Sequence, residues 1–252
     1  MSKIISIHSY RGGTGKTNLT ASLAATVASF GNRVGIVDTD LQSPGIPVLF
    51  GFDETNIGYS LNDYLWNRCR LAQANYDVTS VLRKPAPRSL IYLIPASMKP
   101  AEIGRVLREG YDVRLLEKGF QDLIDELKLD YLFIDTHPGL SEEILLSITI
   151  SDVLVLVMRP DQQDFQGTAV TVNLARKLKV PKMLLLLNKV IKSLDLRYVE
   201  QQFERNYSLP ITGILPLSPE MIELGSRGIF CLKYPKHPLT KVVEKTAFQV
   251  IS

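Results

Sequence analysis

The fold of this chain is decided by the stretch Ser-Tyr-Arg-Gly-Gly-Thr-Gly-Lys-Thr-Asn at residues 9–18. An apolar run, Ile4 to Ile7, precedes it, and a sequence with helical periodicity follows it. Three glycines let the backbone adopt conformations in which several N–H groups point at one anion. A strand, a glycine-rich loop and a helix in this order predict a phosphate-binding loop. The residues that we expect to hold a nucleotide there are Arg11, Gly12, Gly13, Thr14, Gly15, Lys16, Thr17 and Asn18.

The loop departs from the strict pattern G-x-x-x-x-G-K-[ST] at one position. Gly15, Lys16 and Thr17 fit the pattern, but Tyr10 stands where the first glycine belongs. The lysine would supply a mobile positive charge for the outer phosphates, and the threonine hydroxyl would bind a magnesium ion at the mouth of the helix. An accidental glycine turn is the simpler alternative, and the acidic strand ends described next argue against it.

Acidic residues follow two predicted strands at the point where each strand ends. The strand from Arg33 to Val37 leads into Asp38-Thr39-Asp40, and the strand from Tyr131 to Thr136 contains Asp135. Because a hard cation prefers oxygen ligands, Thr17, Asp38 and Asp135 form the predicted magnesium site. The alternative for each aspartate is a turn or helix cap, and for Asp38 this alternative is equally open.

Buried strands and helices alternate along the whole chain. The runs 153–158 and 182–187 are almost wholly apolar, as in strands that are covered on both faces. This pattern predicts an α/β fold with a doubly wound, mainly parallel sheet and helices on both faces. We expect a single domain over residues 1–252, with short helices at 61–66 and 71–82 and a final amphipathic helix at 239–251 that completes the fold.

Composition excludes several classes of protein. The 252 residues carry a net charge of +3, which permits contact with nucleic acid or anionic surfaces without arguing for it. Two distant cysteines, Cys69 and Cys231, suggest neither a disulfide framework nor a zinc or iron–sulfur site. The apolar runs are too short to span a bilayer, and the chain begins directly with a strand. We therefore expect a soluble cytoplasmic protein without a leader peptide.

The loop resembles that of a known ATPase family. Arg11 before two glycines is similar to the deviant phosphate loop of the ParA/MinD family, usually written K-G-G-x-x-K-[ST], with arginine in place of the signature lysine. Family members that distribute carboxysomes also lack this lysine. The resemblance extends over the chain through the motifs at 38–40, 134–139 and 187–189.

The resemblance implies a role for each motif. Asp40 would orient or polarise the attacking water, and Arg11 would take the place of the lysine that reaches across a dimer, so Lys16, Asp40 and Arg11 are the expected catalytic residues. Asn188 is similar to the asparagine that reads the adenine edge, and Pro216 and Leu217 would wall the base. GTPases show N-K-x-D, whereas position 191 is isoleucine, which favours ATP.

Two further polar residues near these motifs, His137 and Arg159, have either a role in the site or no chemical role. His137 lies two residues after Asp135, where a general base is conceivable, but we expect a loop histidine without a chemical role, since phosphoryl transfer needs mainly positioning and charge neutralisation. Arg159 follows a strand and could contact a phosphate or a partner subunit, although we expect a solvated side chain.

Members of the family act as ATP-dependent dimers with magnesium and slow, partner-stimulated hydrolysis. The resemblance thus implies a switch that positions or partitions a cargo, binds nonspecific DNA when loaded with ATP, associates with the nucleoid, and meets a small stimulating partner or cargo adaptor. The alternative is a membrane-associated or polar regulator of the MinD or flagellar-number type, although no segment remains for a membrane. The C-terminal region is locally basic, and it is as consistent with a DNA-binding surface as with an ordinary solvated one. Its basic residues are Arg227, Lys233, Lys236, Lys241 and Lys245.

Overall fold

A computed structural model describes residues 2–191 and 193–252. Its strands form one eight-stranded sheet. They are β1 (Lys3–His8), β2 (Arg33–Asp38), β3 (Tyr76–Asp77), β4 (Leu90–Ile94), β5 (Tyr131–Asp135), β6 (Val153–Met158), β7 (Lys182–Val190) and β8 (Ile211–Pro216). In space they follow the order β3-β4-β2-β5-β1-β6-β7-β8, and every neighbouring pair is parallel except β3 with β4. The predicted doubly wound, mainly parallel sheet is confirmed.

Helices cover both faces of this sheet. They are α1 (Lys16–Ser29), α2 (Ile46–Leu49), α3 (Leu61–Leu65), α4 (Pro100–Glu109), α5 (Arg114–Leu127), α6 (Glu142–Thr149), α7 (Gln162–Lys177), α8 (Leu196–Tyr207), α9 (Pro219–Leu224), α10 (Phe230–Lys233) and α11 (Pro238–Ile251). One core packs α1, α10 and α11 against the sheet. Two more cores lie on the opposite face, one under α3, α4 and α5 and the other under α6, α7 and α8.

The order of the strands places the glycine-rich loop at the centre of the sheet. β1 lies between β5 and β6, and the chain leaves it towards β2 on one side before it later reaches β6 on the other. Ligands of open α/β sheets bind at such a reversal, beyond the carboxyl ends of the strands. The loops after β1, β2, β5 and β7 therefore meet at one edge.

The predicted helix over residues 71–82 is wrong. This segment forms a 3-10 turn at Leu71–Ala74, the short strand β3 and a second 3-10 turn at Thr79–Val81. The apolar positions Leu71, Val78 and Leu82 are buried as their spacing suggested. The backbone differs because Asp77 accepts the Thr79 N–H and β3 pairs with β4, and both interactions compete with a helix.

The final helix, predicted at 239–251, packs into the core. Helix α11 packs between α1 and β8 and buries Leu239, Val243, Ala247 and Val250, while Lys241 and Lys245 are exposed. Within residues 2–191 and 193–252, every helix is too short or too polar to cross a membrane.

Candidate functional site

The glycine-rich loop joins β1 to α1 in a shape suited to an anion. Gly13 and Gly15 have φ angles of 76° and 91°, which glycine adopts at little steric cost. Gly15 is also the N-cap of α1 and offers no side chain to the first turn, so the N–H groups there are left for an anion or water. A Cβ on Gly15 would collide with the side-chain nitrogen of Asn188. Only glycine fits this position.

Lys16 and Asp135 form a buried ion pair beneath the loop. Lys16 Nζ lies 2.9 Å from Asp135 Oδ1, with side chains 6% and 0% exposed. In the described part of the chain the ammonium has no acceptor besides this carboxylate, so some of its donors are unused. A buried cation with unused donors is costly. Phosphate oxygens in the loop would supply acceptors, so these residues fit a nucleotide.

The Asp135 carboxylate also binds two hydroxyls of α1. Thr17 Oγ1 donates to Oδ2 at 2.8 Å, and Thr20 Oγ1 donates to Oδ1 at 2.7 Å. A hydroxyl and a carboxylate in contact beside the phosphate loop are the oxygen donors that Mg²⁺ prefers, so Thr17 and Asp135 fit the ion. Sequence reasoning missed Thr20, although it lies three residues after Thr17 and hence on the same side of the helix.

Asp38 organises the loop after β2, residues 39–45. Its Oδ2 accepts the N–H groups of Gly45 and Ile46 at 3.0 and 3.1 Å, and its Oδ1 accepts that of Asp40 at 3.1 Å. It is paired in register with Asp135 on β5. Burial, reinforced by the neighbouring carboxylates of Asp135 and Asp40, raises the pKa of Asp38 above its usual range. These hydrogen bonds are those of a carboxylate that caps a turn, as the alternative for Asp38 supposed. A magnesium role for Asp38 stays a prediction.

Asp40 belongs to the same loop but faces the cavity over the phosphate loop. Its Oδ1 lies 2.8 Å from His137 Nδ1 and accepts the Ser43 N–H at 3.1 Å. His137 lies in the loop after β5, residues 136–141, so this contact joins two loops that sequence reasoning treated separately. The histidine therefore has a defined hydrogen-bond partner, and the expectation that it has no chemical role stays a prediction.

Two neighbouring cavities could take one nucleotide. The first, of about 460 Å³, contains the phosphate loop, Asp40 and His137. The second, of about 260 Å³, is lined by Asn188, Pro216 and Leu217. They share four residues: Gly15, Asn18, Lys189 and Ser226. Except for Arg11, the predicted phosphate-loop and base residues thus line two cavities that share part of their walls.

Asn188 and Lys189 also brace the phosphate loop. Asn188 Nδ2 donates to the Thr14 carbonyl at 2.7 Å, and Lys189 Nζ donates to the Gly13 carbonyl at 2.7 Å. The Asn188 side-chain oxygen accepts the Lys189 N–H. The lysine was not predicted as a site residue, and its proximity to Asn188 was the available signal.

Tyr10 and Arg11, the unusual residues of the loop, contact α7. The Tyr10 ring covers Gly167, where an added Cβ would overlap the ring. Arg11 Nη1 donates to Gln163 Oε1 in the first turn of the same helix. In this structure Arg11 is therefore bonded within its own subunit.

The prediction that the Arg159 side chain is simply solvated is wrong. Its guanidinium contacts Asp164 at 3.1 Å and Asp161 at 3.2 Å, and the bond to Asp164 raises its pKa. Asp161 caps α7 by accepting the N–H groups of Gln163 and Asp164. The arginine thus stabilises the start of α7.

His8 is the last residue of β1 and is fully buried. The Thr136 hydroxyl donates its proton to the Ile7 carbonyl at 3.0 Å. His8 Nδ1 lies 2.8 Å from Thr136 Oγ1 and must therefore donate to that hydroxyl oxygen. Burial, with a smaller effect of Lys16, lowers the pKa of His8 to about 3. The imidazole is therefore neutral.

A parallel sheet, a glycine-rich loop at its reversal point and a buried lysine within that loop define a P-loop nucleotide-binding fold. A family model described as "ParA: NUBPL iron-transfer P-loop NTPase" matches residues 1–251. The chain belongs to the ParA family of P-loop NTPases.

Individual relatives and solved structures are similar to this chain over most of its length. An uncharacterized ATP-binding protein of Methanocaldococcus jannaschii is 25% identical over 255 residues, covering 100% of this chain and 88% of that protein. The septum site-determining protein MinD of Pyrococcus horikoshii, solved with Mg-ADP, superposes with a TM-score of 0.80 at 24% identity and covers 99% and 96% of the two chains. The apo McdA structure from Cyanthece gives a TM-score of 0.77 at 17% identity over the full length of both chains.

Proposed function

We propose that the chain is a magnesium-dependent ATPase that switches between two states to position or partition a cargo. The observation that carries this proposal is the Lys16 ammonium, which is buried under the phosphate loop with unused donors. Membership of the ParA family supports nucleotide binding. Lys16 and the loop would hold the phosphates, and Thr17 with Asp135, and Asp38 nearby, would hold Mg²⁺.

ATP is the proposed nucleotide. The cavity beside Asn188 is bounded by Pro216 and Leu217, which offer an apolar wall to a base. Position 191, where a GTPase motif has aspartate, is an exposed isoleucine without a carboxylate for a guanine amine.

Hydrolysis would depend mainly on positioning and charge neutralisation. A bound magnesium ion would neutralise charge that develops on the phosphates. Asp40 would orient the attacking water, while Lys16 and Lys189 would keep the phosphates in register with it. Catalysis is expected to be slow and to be stimulated by a small partner or cargo adaptor.

We further propose that ATP loading forms a homodimer. Arg11 is exposed at the rim of the phosphate loop, so its guanidinium could reach a second subunit's phosphates. To do so it would have to release Gln163 on α7. Arginine and lysine present different donor geometries, so this exchange is the step at which the chain would differ from relatives with the signature lysine.

The proposed surface for nonspecific DNA lies beside α10. A cleft of about 540 Å³ is lined by three cations, Arg83, Arg227 and Lys233, and no carboxylate lies among its described lining residues. These side chains are exposed and form no ion pair among residues 2–191 and 193–252. Uncompensated cations favour a phosphate backbone. The structure adds Arg83 to the basic region predicted from sequence.

The family description raises iron transfer as a second function, and the cysteines argue against it. Cys231 is buried in the core beneath α1 and α11, whereas Cys69 packs at the core on the opposite face of the sheet. They cannot ligate one cluster within a subunit. Within the described residues, no group of three or more histidine, cysteine or acidic side chains is arranged to hold a metal.

Binding to surfaces with and without ATP would test the proposed switch. We expect wild-type protein to bind a nonspecific DNA duplex in the presence of Mg-ATP and to show weak binding without nucleotide. Removing two cleft cations in Arg83→Gln/Lys233→Gln should weaken binding and reduce the slope of log K against log salt by about 2, since each phosphate contact contributes roughly 0.9.

A matched variant, Lys118→Gln/Lys177→Gln, removes two cations from helices α5 and α7 on the opposite face and should leave DNA binding unchanged. Liposomes of anionic lipid form the second arm. ATP-dependent retention on liposomes, with none on DNA, would contradict the DNA mode and support the membrane-associated or polar regulator instead.

A further inference from the structure

The loop after β5 carries a histidine that contacts the proposed catalytic carboxylate. His137 Nδ1 and Asp40 Oδ1 are 2.8 Å apart, and the two side chains are 29% and 10% exposed. The residues are 97 positions apart in sequence, but they follow strands β5 and β2, whose last residues, Asp135 and Asp38, are paired in register. The sheet itself therefore brings them together.

The two carboxylate oxygens of Asp40 differ in their contacts. Oδ1 receives His137 Nδ1 and the Ser43 N–H at 3.1 Å. Among the described residues, Oδ2 has no hydrogen-bond partner, and Asp40 lines the cavity that contains the phosphate loop. One oxygen is fixed by the protein, and the other is free to accept a hydrogen bond from a water in this cavity.

The direction of the hydrogen bond follows from chemistry. An ionised carboxylate only accepts, so Nδ1 of His137 must carry the proton that it shares with Asp40. Two donors from two different positions hold Oδ1, which limits rotation of the carboxylate about its last bond. A group held in this way loses less freedom when it orients a reactant, and that preorganisation accelerates reactions.

We propose that His137 is a positioning residue that fixes Asp40 for activation of the attacking water. The inference rests on the proposed ATPase function, since it assigns to His137 a part in that same reaction. His137 acts through Asp40 and also joins the loop after β2 to the loop after β5, so that both loops adopt their active arrangement together.

A rival role for His137 is direct removal of a proton from water. The two roles predict different behaviour for asparagine. The Asn side-chain nitrogen occupies the place of His Nδ1 and can donate to Asp40, but an amide has no basic nitrogen. Asparagine should therefore preserve a positioning role and abolish a proton-transfer role.

The test compares steady-state hydrolysis of Mg-ATP by wild type, His137→Ala and His137→Asn, with Asp40→Ala as the inactive reference. His237→Asn is the matched control: this histidine also lies near a carboxylate, 3.7 Å from Glu220, and caps α11, a task asparagine performs well. Affinity for a non-hydrolysable ATP analogue and thermal melting are measured for every variant.

We expect His137→Ala to lower kcat by about 10- to 100-fold with KM and analogue affinity within about twofold of wild type. His137→Asn should recover kcat to within about threefold of wild type, and His237→Asn should match wild type. Wild-type kcat in His137→Ala would overturn the proposal, and so would an asparagine variant as slow as the alanine variant. Absence of hydrolysis by wild type would instead refute the proposed ATPase.

Discussion

At the scale of single residues, the site depends on buried polar groups whose partners lie on other loops. Lys16 contacts Asp135, the last residue of β5, and Asp40 contacts His137. Sequence motifs predicted that Lys16, Asp135 and Asp40 would gather at one edge. They did not predict the His137 contact, because a lone histidine has no spacing pattern and its partner is set by strand pairing.

His8 predicts a pH dependence of stability. Its pKa is about 3 in the folded chain and about 6.5 when unfolded, so unfolding takes up a proton between these values. The contribution of His8 to stability is complete above pH 6.5 and is lost as the pH falls towards 3. The loss should approach about 1.4 kcal/mol per pH unit between roughly pH 5.5 and 4.

Denaturant unfolding from pH 7 to 4 would check this contribution. The wild-type stability should fall more steeply with decreasing pH than that of His8→Asn, which cannot take up the proton. Parallel curves for wild type and His8→Asn would contradict the buried, neutral state of His8.

At the scale of elements, strands and long helices could be predicted because their apolar periodicity reflects burial directly. Of the short helices, only α3 (Leu61–Leu65) matches its predicted position, 61–66. Helices α2, α9 and α10 span only four to six residues each, too few to show a period. Helix α7 begins at Gln162, because Asp161 caps it and Arg159 holds that cap. Such contacts are tertiary, and a sequence window does not contain them.

The contact between the phosphate loop and α7 makes a prediction at this scale. Gly167→Ala would normally favour a helix by roughly 0.5–1 kcal/mol, but its Cβ would overlap the Tyr10 ring. We expect a net loss of about 1–3 kcal/mol in the free energy of unfolding, since overpacking forces neighbouring groups to shift.

A second helical glycine supplies the control. At Gly104 in α4, a Cβ would meet only the far end of the flexible Arg108 side chain. Gly104→Ala should therefore be neutral or stabilising in the same thermal and denaturant measurements. A Gly167→Ala variant as stable as Gly104→Ala would show that Tyr10 does not need that glycine.

At the scale of the whole molecule, the sheet order gathers the loops of β1, β2, β5 and β7 into one site. The uncompensated cations Arg83, Arg227 and Lys233 lie in a separate cleft. Leu49 contributes to both the phosphate cavity and this cleft, and it lies on α2, directly after the loop that carries Asp40. A change in that loop on ATP binding therefore has a short route to the proposed DNA surface.

Calorimetric titration of the full chain with Mg-ATP tests the central claim most directly, because every further step requires the nucleotide to bind at the phosphate loop. We expect one site per chain in wild type. Lys16→Ala and the longer neutral variant Lys16→Gln should both bind at least about 30-fold more weakly, since losing a buried charged donor costs about 2 kcal/mol or more. Melting curves would verify that both variants are folded. Wild-type affinity for Mg-ATP in folded Lys16 variants, or no binding by the wild-type chain, would contradict the account.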